Sequence, residues 1–335
     1  SKDINPDILK HVAANYFEYK KSNTLVDYSD MIHQFVNKSH LCPTFDVVFI
    51  DEAQDLSPIQ WMMYDILKAN TKDMYLAGDD DQAIYAWAGA DVDRFIKEPA
   101  TEVVLKKSRR VPRKIQDISN IIVNRIEGLR ADKQYYPREE DGSCIKINNL
   151  DNVDLTKDNW LILTRTRSKS VQIAKELKQR GIFFESKFFK SLNTKLHKAA
   201  VYYSRWSEGQ ELNQKEIDDV EDYMSDDNWN ELVPWFEAFD KANLEDKNYI
   251  RLLLSNKEKL SEPPRVKVST IHAAKGGESD NVLLVLDNAR KIRESVLKNV
   301  RKRDEEHRVW YVGVTRSRKN LYLMRAKIER YGYNL

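Results

Sequence analysis

The sequence predicts an α/β protein built from two parallel-sheet units, and three observations carry that expectation. Short apolar runs such as DVVFI (46–50) and MYLA (74–77) are each followed at once by acidic residues and then by a helical pattern. Runs of the same kind recur along the chain with helical stretches between some of them, the alternation a parallel sheet requires. With 335 residues and 41% hydrophobic content, the chain can fill a core in each of two units.

The elements follow in order. Up to about residue 40 the chain reads as helical, with Ile8, Leu9, Val12, Tyr16 and Phe17, then Tyr28, Met31, Ile32 and Phe35, at helix-like spacing. From Asp46 the texture changes to strands. After DVVFI and MYLA come EVVL (102–105), WLILT (160–164), VKVSTI (266–271), NVLLVLD (281–287) and NLYLM (320–324), with a helix expected over 170–179. Between about 188 and 264 the alternation gives way to a helical, acidic stretch holding Trp206, Trp229 and Trp235 and closing on Pro263 and Pro264. It reads as an insertion within the second unit. The expected organisation is therefore 1–100, then 101–187 together with 265–335, with 188–264 inserted. The carboxylate-rich segment 208–231 fits either a surface for a protein partner or a solvated helical face, and the solvated face is the commoner of the two.

Composition excludes several classes of function. Lys and Arg number 55 against 53 for Asp and Glu, so a net charge of +2 gives no strong non-specific pull on a polyanion. Any contact with nucleic acid has to come from local grooves. There are two cysteines, no signal-like apolar opening, and no run near the roughly 18 apolar residues of a membrane span. A reducing, cytoplasmic setting is expected.

The strongest local signal is FDVVFIDEAQD (45–55), where a buried strand runs out onto Asp51 and Glu52. That puts two carboxylates at the C-terminal edge of a parallel sheet, where ligands bind. An aspartate there can hold Mg²⁺, usually through water, and the adjacent glutamate can orient and deprotonate the water that attacks a γ-phosphate. A bare Asp-Glu pair is more often a solvated acidic turn. The next strand changes the balance, because it ends in AGDDDQAIYAWAGA (77–90). Gln82 is placed to reach a γ-phosphate, and Tyr85 and Trp87 follow within a few residues. Aromatic stacking is how sequence-blind proteins grip single strands, at about 1–3 kcal/mol per base. Asp79, Asp80 and Asp81 taken alone suggest a metal cluster, but consecutive residues on a turn diverge.

DEAQD followed by GDDDQAIYAWAGA resembles motifs II and III of the UvrD/Rep/PcrA superfamily 1 DNA helicases, and four later segments agree in order and spacing. VVLKKSRRVPRKI (103–115) is similar to motif IV, whose Asn-Tyr-Arg pattern supplies a γ-phosphate arginine and an aromatic that stacks on the base. Arg110 matches the arginine. Ser108 and Arg109 replace the asparagine and tyrosine, and a guanidinium can also stack on a purine. WLILTRTRSKSVQIAKELKQRGIFFES (160–186) resembles the segment after motif IV, with an exposed Thr164-Arg165 facing DNA. VKVSTIHAAKGGESDNVLLV (266–285) matches motif V, with Thr270, His272 and Lys275 placed like the family's DNA-facing residues and Glu278 like its ribose contact; Gly277 replaces the usual leucine. EEHRVWYVGVTRSRKNLYL (305–323) resembles motif VI, in which Arg316 would be an arginine finger able to accelerate phosphoryl transfer by about 10³–10⁵.

The resemblance implies P-loop NTPase (RecA-like) motor domains with parallel sheets, the first partial and the second complete with a reduced helical accessory insertion. It further implies ATP and Mg²⁺ as cofactors, Asp51 as the metal residue, and Glu52, Gln82, Arg110 and Arg316 as the catalytic set. The implied partner is single-stranded DNA or a single/double-strand junction, traversed 3′ to 5′ in repair or replication. One departure is large. A phosphate loop needs Gly-Lys-Ser/Thr, and none of the ten glycines is followed by lysine. The family's loop would lie upstream of residue 1, after which NTLVDYSDMI (23–32) resembles the helix before motif II. The chain alone is then expected to be inactive as a helicase. The alternative is a non-catalytic protein that keeps the helicase shape for binding DNA or a partner.

Overall fold

Helices of the first unit start where the sequence supplies caps. In this computed structural model, which describes residues 5–225 and 229–335, the chain forms two units, Ser1–Ala100 and Thr101–Leu335. Helix α1 (Pro6–Ser22) opens with Pro6 in its first turn and with the Asn5 side chain accepting from the Asp7 N–H. Helix α2 (Tyr28–Asn37) opens on a reciprocal box in which Asp27 and Asp30 each accept from the other's backbone N–H. The Lys20 ammonium sits between those carboxylates at 2.9 and 2.6 Å, which ties α1 to the start of α2. Then come β1 (Phe45–Ile50), α3 (Pro58–Ala69), β2 (Thr71–Leu76) and α4 (Val92–Lys97).

Strands β1 and β2 are parallel, with Val48 opposite Met74 and Ile50 opposite Leu76. Alternation divides their side chains. Val48, Ile50, Met74 and Leu76 are half-buried, and α3 buries Trp61 and Tyr64. Phe45, Val47, Phe49 and Tyr75 are exposed, and the Phe49 and Tyr75 rings stack at 5.0 Å.

The second unit contains α5 (Arg113–Val123), β3 (Ser143–Ile147), β4 (Trp160–Thr164), α6 (Arg167–Gln179) and β5 (Phe184–Ser186). Four helices follow, α7 (Thr194–Ser207), α8 (Gln214–Glu221), α9 (Trp235–Ala238) and α10 (Leu244–Ser255). It ends with β6 (Val266–Thr270), β7 (Ser279–Val285), α11 (Arg290–Lys298), α12 (Val300–Val314) and β8 (Ser317–Met324). The six strands form one parallel sheet in the order β3-β8-β7-β4-β6-β5. All five residues of β4 are buried, as expected of a central strand covered on both faces. Ile162, Val268 and Leu283 from the sheet pack in one core with Leu177 of α6, and with Leu196, Tyr203, Phe239 and Leu253 from the helical stretch after β5. The Tyr249 hydroxyl donates to the Ile182 carbonyl at 2.8 Å, fixing α10 to the chain just before β5.

Two expectations need correction. EVVL (102–105) is not a strand. It runs as open chain with Val103 and Leu105 exposed, and its vicinity contributes only an isolated bridge between Lys107 and Tyr136. Strands β3 and β5, by contrast, were not expected, and they are the two edges of the large sheet. Of the acidic segment 208–231, residues 214–221 form α8, while 226–228 lie outside the described residues, as do 1–4 of the opening helical stretch.

Two glycines separate backbone strain from steric fit. Gly181, after α6, has φ +64°, and a Cβ there would lie 2.7 Å from Leu252 Cβ and Asn256 Nδ2. Gly209, after α7, has φ +83° with nothing within 4 Å of that position. Gly209→Ala is expected to cost about 1 kcal/mol from the left-handed backbone alone. Gly181→Ala should cost that and a further ~1–3 kcal/mol for displacing α10. Urea unfolding measures both, and equal losses would remove the steric account.

Candidate functional site

Strand β1 delivers Asp51 and Glu52 to the C-terminal end of the first sheet, both exposed. Glu52 adopts φ 53°, ψ 38°, the left-handed conformation that a residue with a Cβ adopts at a cost. Its N–H donates to Asp51 Oδ1 at 2.8 Å, and the Ala53 N–H donates to the Ala77 carbonyl at 2.9 Å, so the turn is pinned to the end of β2. Gln54, fully buried, links the two strand ends: its Nε2 donates to Glu52 Oε2 and its Oε1 accepts from the Asp79 N–H at 3.0 Å. Gly78 makes room for this bridge, since a Cβ there would stand 2.6 Å from Gln54 Oε1. Sequence reasoning passed over Gln54; its place two residues after an acid at a strand end was the available signal.

The turn after β2 is ordered by its own carboxylates. Asp79 accepts from the Asp81 N–H at 3.1 Å and from Gln82 Nε2 at 2.8 Å, while Asp80 and Asp81 are buried. Tyr85 and Trp87 follow with ring centroids 6.3 Å apart, edge to face. Trp87 is 70% exposed, an available stacking platform. Burial raises the Tyr85 phenol pKa, with Asp55 and Glu52 adding to the shift.

In the second unit, the Ser108 hydroxyl accepts from the N–H groups of Arg110 and Val111 at 3.3 and 3.0 Å and so shapes the turn carrying Arg110. Arg110 Nε donates to Glu278 Oε2 at 2.5 Å, and Arg318 donates to Glu278 Oε1 at 3.1 Å. Arg109, beside it, is exposed. Arg316 follows α12 and is 2% exposed, with Nε donating to the Val312 carbonyl at 2.9 Å and Nη2 to the Thr315 hydroxyl at 3.2 Å. The structure thus brings Arg110 and Glu278 into one ion pair, with Arg318 as a third member that sequence reasoning missed.

Strands β4 and β6 bring together the residues expected to face DNA. The Ile271 N–H donates to the Thr164 carbonyl at 2.9 Å, and the Thr270 hydroxyl accepts from the Ala273 N–H at 3.3 Å. The expectation of an exposed Thr164-Arg165 pair needs correction. Thr164 is fully buried, its hydroxyl committed to the Thr166 carbonyl at 3.0 Å and to Ser170 Oγ at 2.7 Å. Arg165 is drawn inward by Glu306, Nη2 to Oε2 at 2.9 Å. His272 and Lys275 are half-buried. Burial lowers the His272 pKa to about 4, with Arg165 adding to the shift and Glu306 opposing it.

Among the described residues, no group of three or more His, Cys, Asp or Glu could hold a metal ion. Mg²⁺ needs only one or two carboxylates where phosphates and water complete its octahedron, and the donor set of exposed Asp51 beside Glu52 fits that requirement. The first unit offers the Asp51 and Glu52 carboxylates beside a buried amide, and the second unit, by itself, offers the Arg110 and Arg316 guanidinium groups.

His272 gives a pH signature. Its ordinary value of 6.5 falls to about 4 in the fold, so between those values the unfolded chain binds a proton the folded chain does not. The corresponding stability is present above pH 6.5 and lost as pH falls towards 4. The urea midpoint of the unaltered chain should therefore fall more steeply than that of His272→Gln as pH drops through this window, whatever their difference near neutrality. A gap independent of pH would remove the burial account.

Comparison with known proteins adds two family matches. Residues 2–101 match the UvrD/REP helicase N-terminal domain, and residues 187–327 match the UvrD-like helicase C-terminal domain. The chain is 31% identical to DNA helicase II of Escherichia coli K12 over 144 residues, covering 38% of this chain and 20% of that protein. It is 25% identical to the ATP-dependent DNA helicase PcrA of Leuconostoc citreum over 190 residues, 48% of this chain and 25% of that protein. A probable DNA helicase II homolog of Rickettsia felis aligns with all of this chain and 70% of its own length at 23% identity. The matched part thus spans only 20% to 25% of the E. coli and Leuconostoc proteins. With both family domains matched in order on two parallel-sheet units, the chain belongs to the UvrD/Rep/PcrA-like DNA helicases, whose domains are P-loop NTPase folds.

Proposed function

We propose that this chain forms part of an ATP-dependent translocase that moves 3′ to 5′ on single-stranded DNA or at a single/double-strand junction. The observation that carries the reading is the Gln54 bridge. It holds the Glu52 carboxylate and the start of the Asp79–Gln82 turn together, and that turn leads directly into Tyr85 and Trp87. A change at the acid pair is thereby linked, through a buried amide, to the aromatic platform. Residues 1–100 act as first motor domain, 101–187 with 265–335 as second, and 188–264 as an accessory element whose acidic helix α8 is available to a protein partner. Among the described residues no helix is long and apolar enough to cross a membrane, and the two cysteines are free.

Bound Mg²⁺ would supply charge neutralisation at the phosphates. Asp51 would hold it, chiefly through water, and Glu52 would orient the attacking water and take its proton. Gln82, Arg110 and Arg316 would sense and stabilise the γ-phosphate, with Arg109 against the base and Glu278 at the ribose. Thr270, His272 and Lys275 would face the strand, together with the backbone at Thr164. Neutral His272 acts there as a hydrogen-bonding group and leaves the cationic role to Lys275.

With no Gly-Lys pair in its 335 residues, the chain by itself is expected to show no DNA-stimulated ATP hydrolysis. The same feature favours the second reading, a binding protein of helicase shape. Hydrolysis that disappears in Arg316→Ala would establish phosphate binding by other residues and remove both the inactivity and the second reading. For the DNA side, Trp87→Ala is expected to weaken oligo(dT) binding by about 1–3 kcal/mol, read by fluorescence anisotropy. Unchanged affinity would take Trp87 out of the interface.

A further inference from the structure

The Glu306 carboxylate in the second unit is 4% exposed and accepts from three residues on three elements. Arg165, just after β4, donates through Nε at 3.0 Å to each oxygen and through Nη2 to Oε2 at 2.9 Å. Asn288, just after β7, donates through Nδ2 to Oε1 at 2.9 Å, and Trp310, one turn along α12, donates through Nε1 to Oε1 at 2.7 Å. Beside this hub, Lys169 of α6 pairs with buried Asp287 at 3.3 Å. Strands β4 and β7 are adjacent, and β6, which carries Thr270, is the other neighbour of β4.

We infer that Arg165 and Glu306 form a positioning pair, which sets the strand ends carrying the DNA-facing residues, and that Arg165 does not itself contact phosphate. This inference rests on the DNA-binding reading above. Turning Arg165 outward to a phosphate would leave a buried carboxylate without its cation, and breaking a buried pair costs more than an exposed charge contact returns. The Arg165 side chain, 17% exposed, is also held through two of its nitrogens by Glu306, the two-pronged geometry for which arginine is suited and lysine is not. Glu306 lies on the helix that ends two residues before Arg316, so the same carboxylate joins the DNA-facing strand ends to the helix preceding the proposed finger.

The test is oligo(dT) binding by the full chain over a series of salt concentrations, below the melting temperature of every variant. Arg165→Gln and Glu306→Gln are each expected to weaken binding about tenfold, with the double variant no weaker than the poorer single one, as residues acting as a unit behave. The slope of log Kd against log salt should stay unchanged in Arg165→Gln and drop by about one in Lys275→Gln, the phosphate-facing reference. Arg165→Lys keeps the charge and loses the two-pronged grip. It should bind as weakly as Arg165→Gln, and it decides the matter if the glutamine variants do not fold. A reduced slope in Arg165→Gln, tighter binding in Glu306→Gln, or full affinity in Arg165→Lys would make Arg165 a direct phosphate contact and overturn the inference. Unchanged affinity in every folded Arg165 and Glu306 variant would reduce the pair to a structural clamp and overturn it equally. Absence of binding by the unaltered chain would instead overturn the DNA-binding reading, and this inference with it.

Discussion

A carboxylate removed from water is tolerated only where hydrogen bonds and a cation replace its hydration, and Glu306 shows what that requirement does to a fold. To satisfy it, the second unit brings an arginine from the end of β4, an asparagine from beyond β7 and an indole from α12 to one point. Each donor is committed, so neither strand end can shift along α12 without leaving a polar group unpaired. The Thr164 side chain, spent on Ser170 and on the next turn, removes another degree of freedom at the same edge. The residues proposed to face DNA after β4 and β6 therefore sit on an edge whose geometry is set by buried polar groups, with the apolar core of the sheet beside them.

The first unit solves a similar problem with less material. Glu52 adopts a left-handed backbone, a strain persisting only where its surroundings over-determine it. The constraints are the Ala53 and Ala77 backbone bonds to the neighbouring strand end, and Gln54, which fills the space left by Gly78. Replace Gly78 by any larger residue and the amide oxygen must move, releasing both the Asp79 N–H and the Glu52 carboxylate. The bare side of β1 and β2 is a different matter. Phe45, Val47, Phe49 and Tyr75 face water although parallel sheets are ordinarily covered on both faces. Stacking of Phe49 on Tyr75 shields part of that area.

In the second unit, sequence legibility followed burial, whereas the exposed strands β1 and β2 were legible from their apolar runs and the acids after them, and the expectation of a buried β1 does not hold. Runs such as WLILT and NVLLVLD declared themselves because every position is covered, whereas EVVL has the same composition and no neighbouring strand to pair with. Edge strands β3 and β5 escaped notice since SCIKI is mixed in polarity and FES is three residues long. Among the candidate residues, Asp51 and Glu52 directly follow β1, and Gln82 and Trp87 lie in the turns after β2, in the order the motifs gave. What that order could not convey was which polar side chains point inward. Thr164 and Arg165 were expected to be exposed from the resemblance of their segment to the one after motif IV, and nothing in the string 305–323 marked Glu306 as a buried partner, since these residue types are mostly exposed. Gln54 and Arg318 were overlooked for the same reason: their significance lies in partners 25 and 40 residues away.

Charge pairing also bears on how such a chain holds DNA. Of the arginines near the candidate site, Arg165 is neutralised by Glu306, and Arg110 and Arg318 share Glu278. Lys319 pairs with Asp280 at 2.5 Å, and Arg318 approaches the same carboxylate at 3.7 Å. These four cations each have a local counter-charge. Affinity built on counterion release scales with the number of phosphates neutralised, and cations held by a local carboxylate contribute less to it. The exposed indole of Trp87 carries no such restriction, because stacking on a base face needs no counter-charge and is indifferent to sequence. On the proposed DNA-binding reading, grip on a single strand accordingly draws on stacking at Trp87 as well as on phosphate contacts.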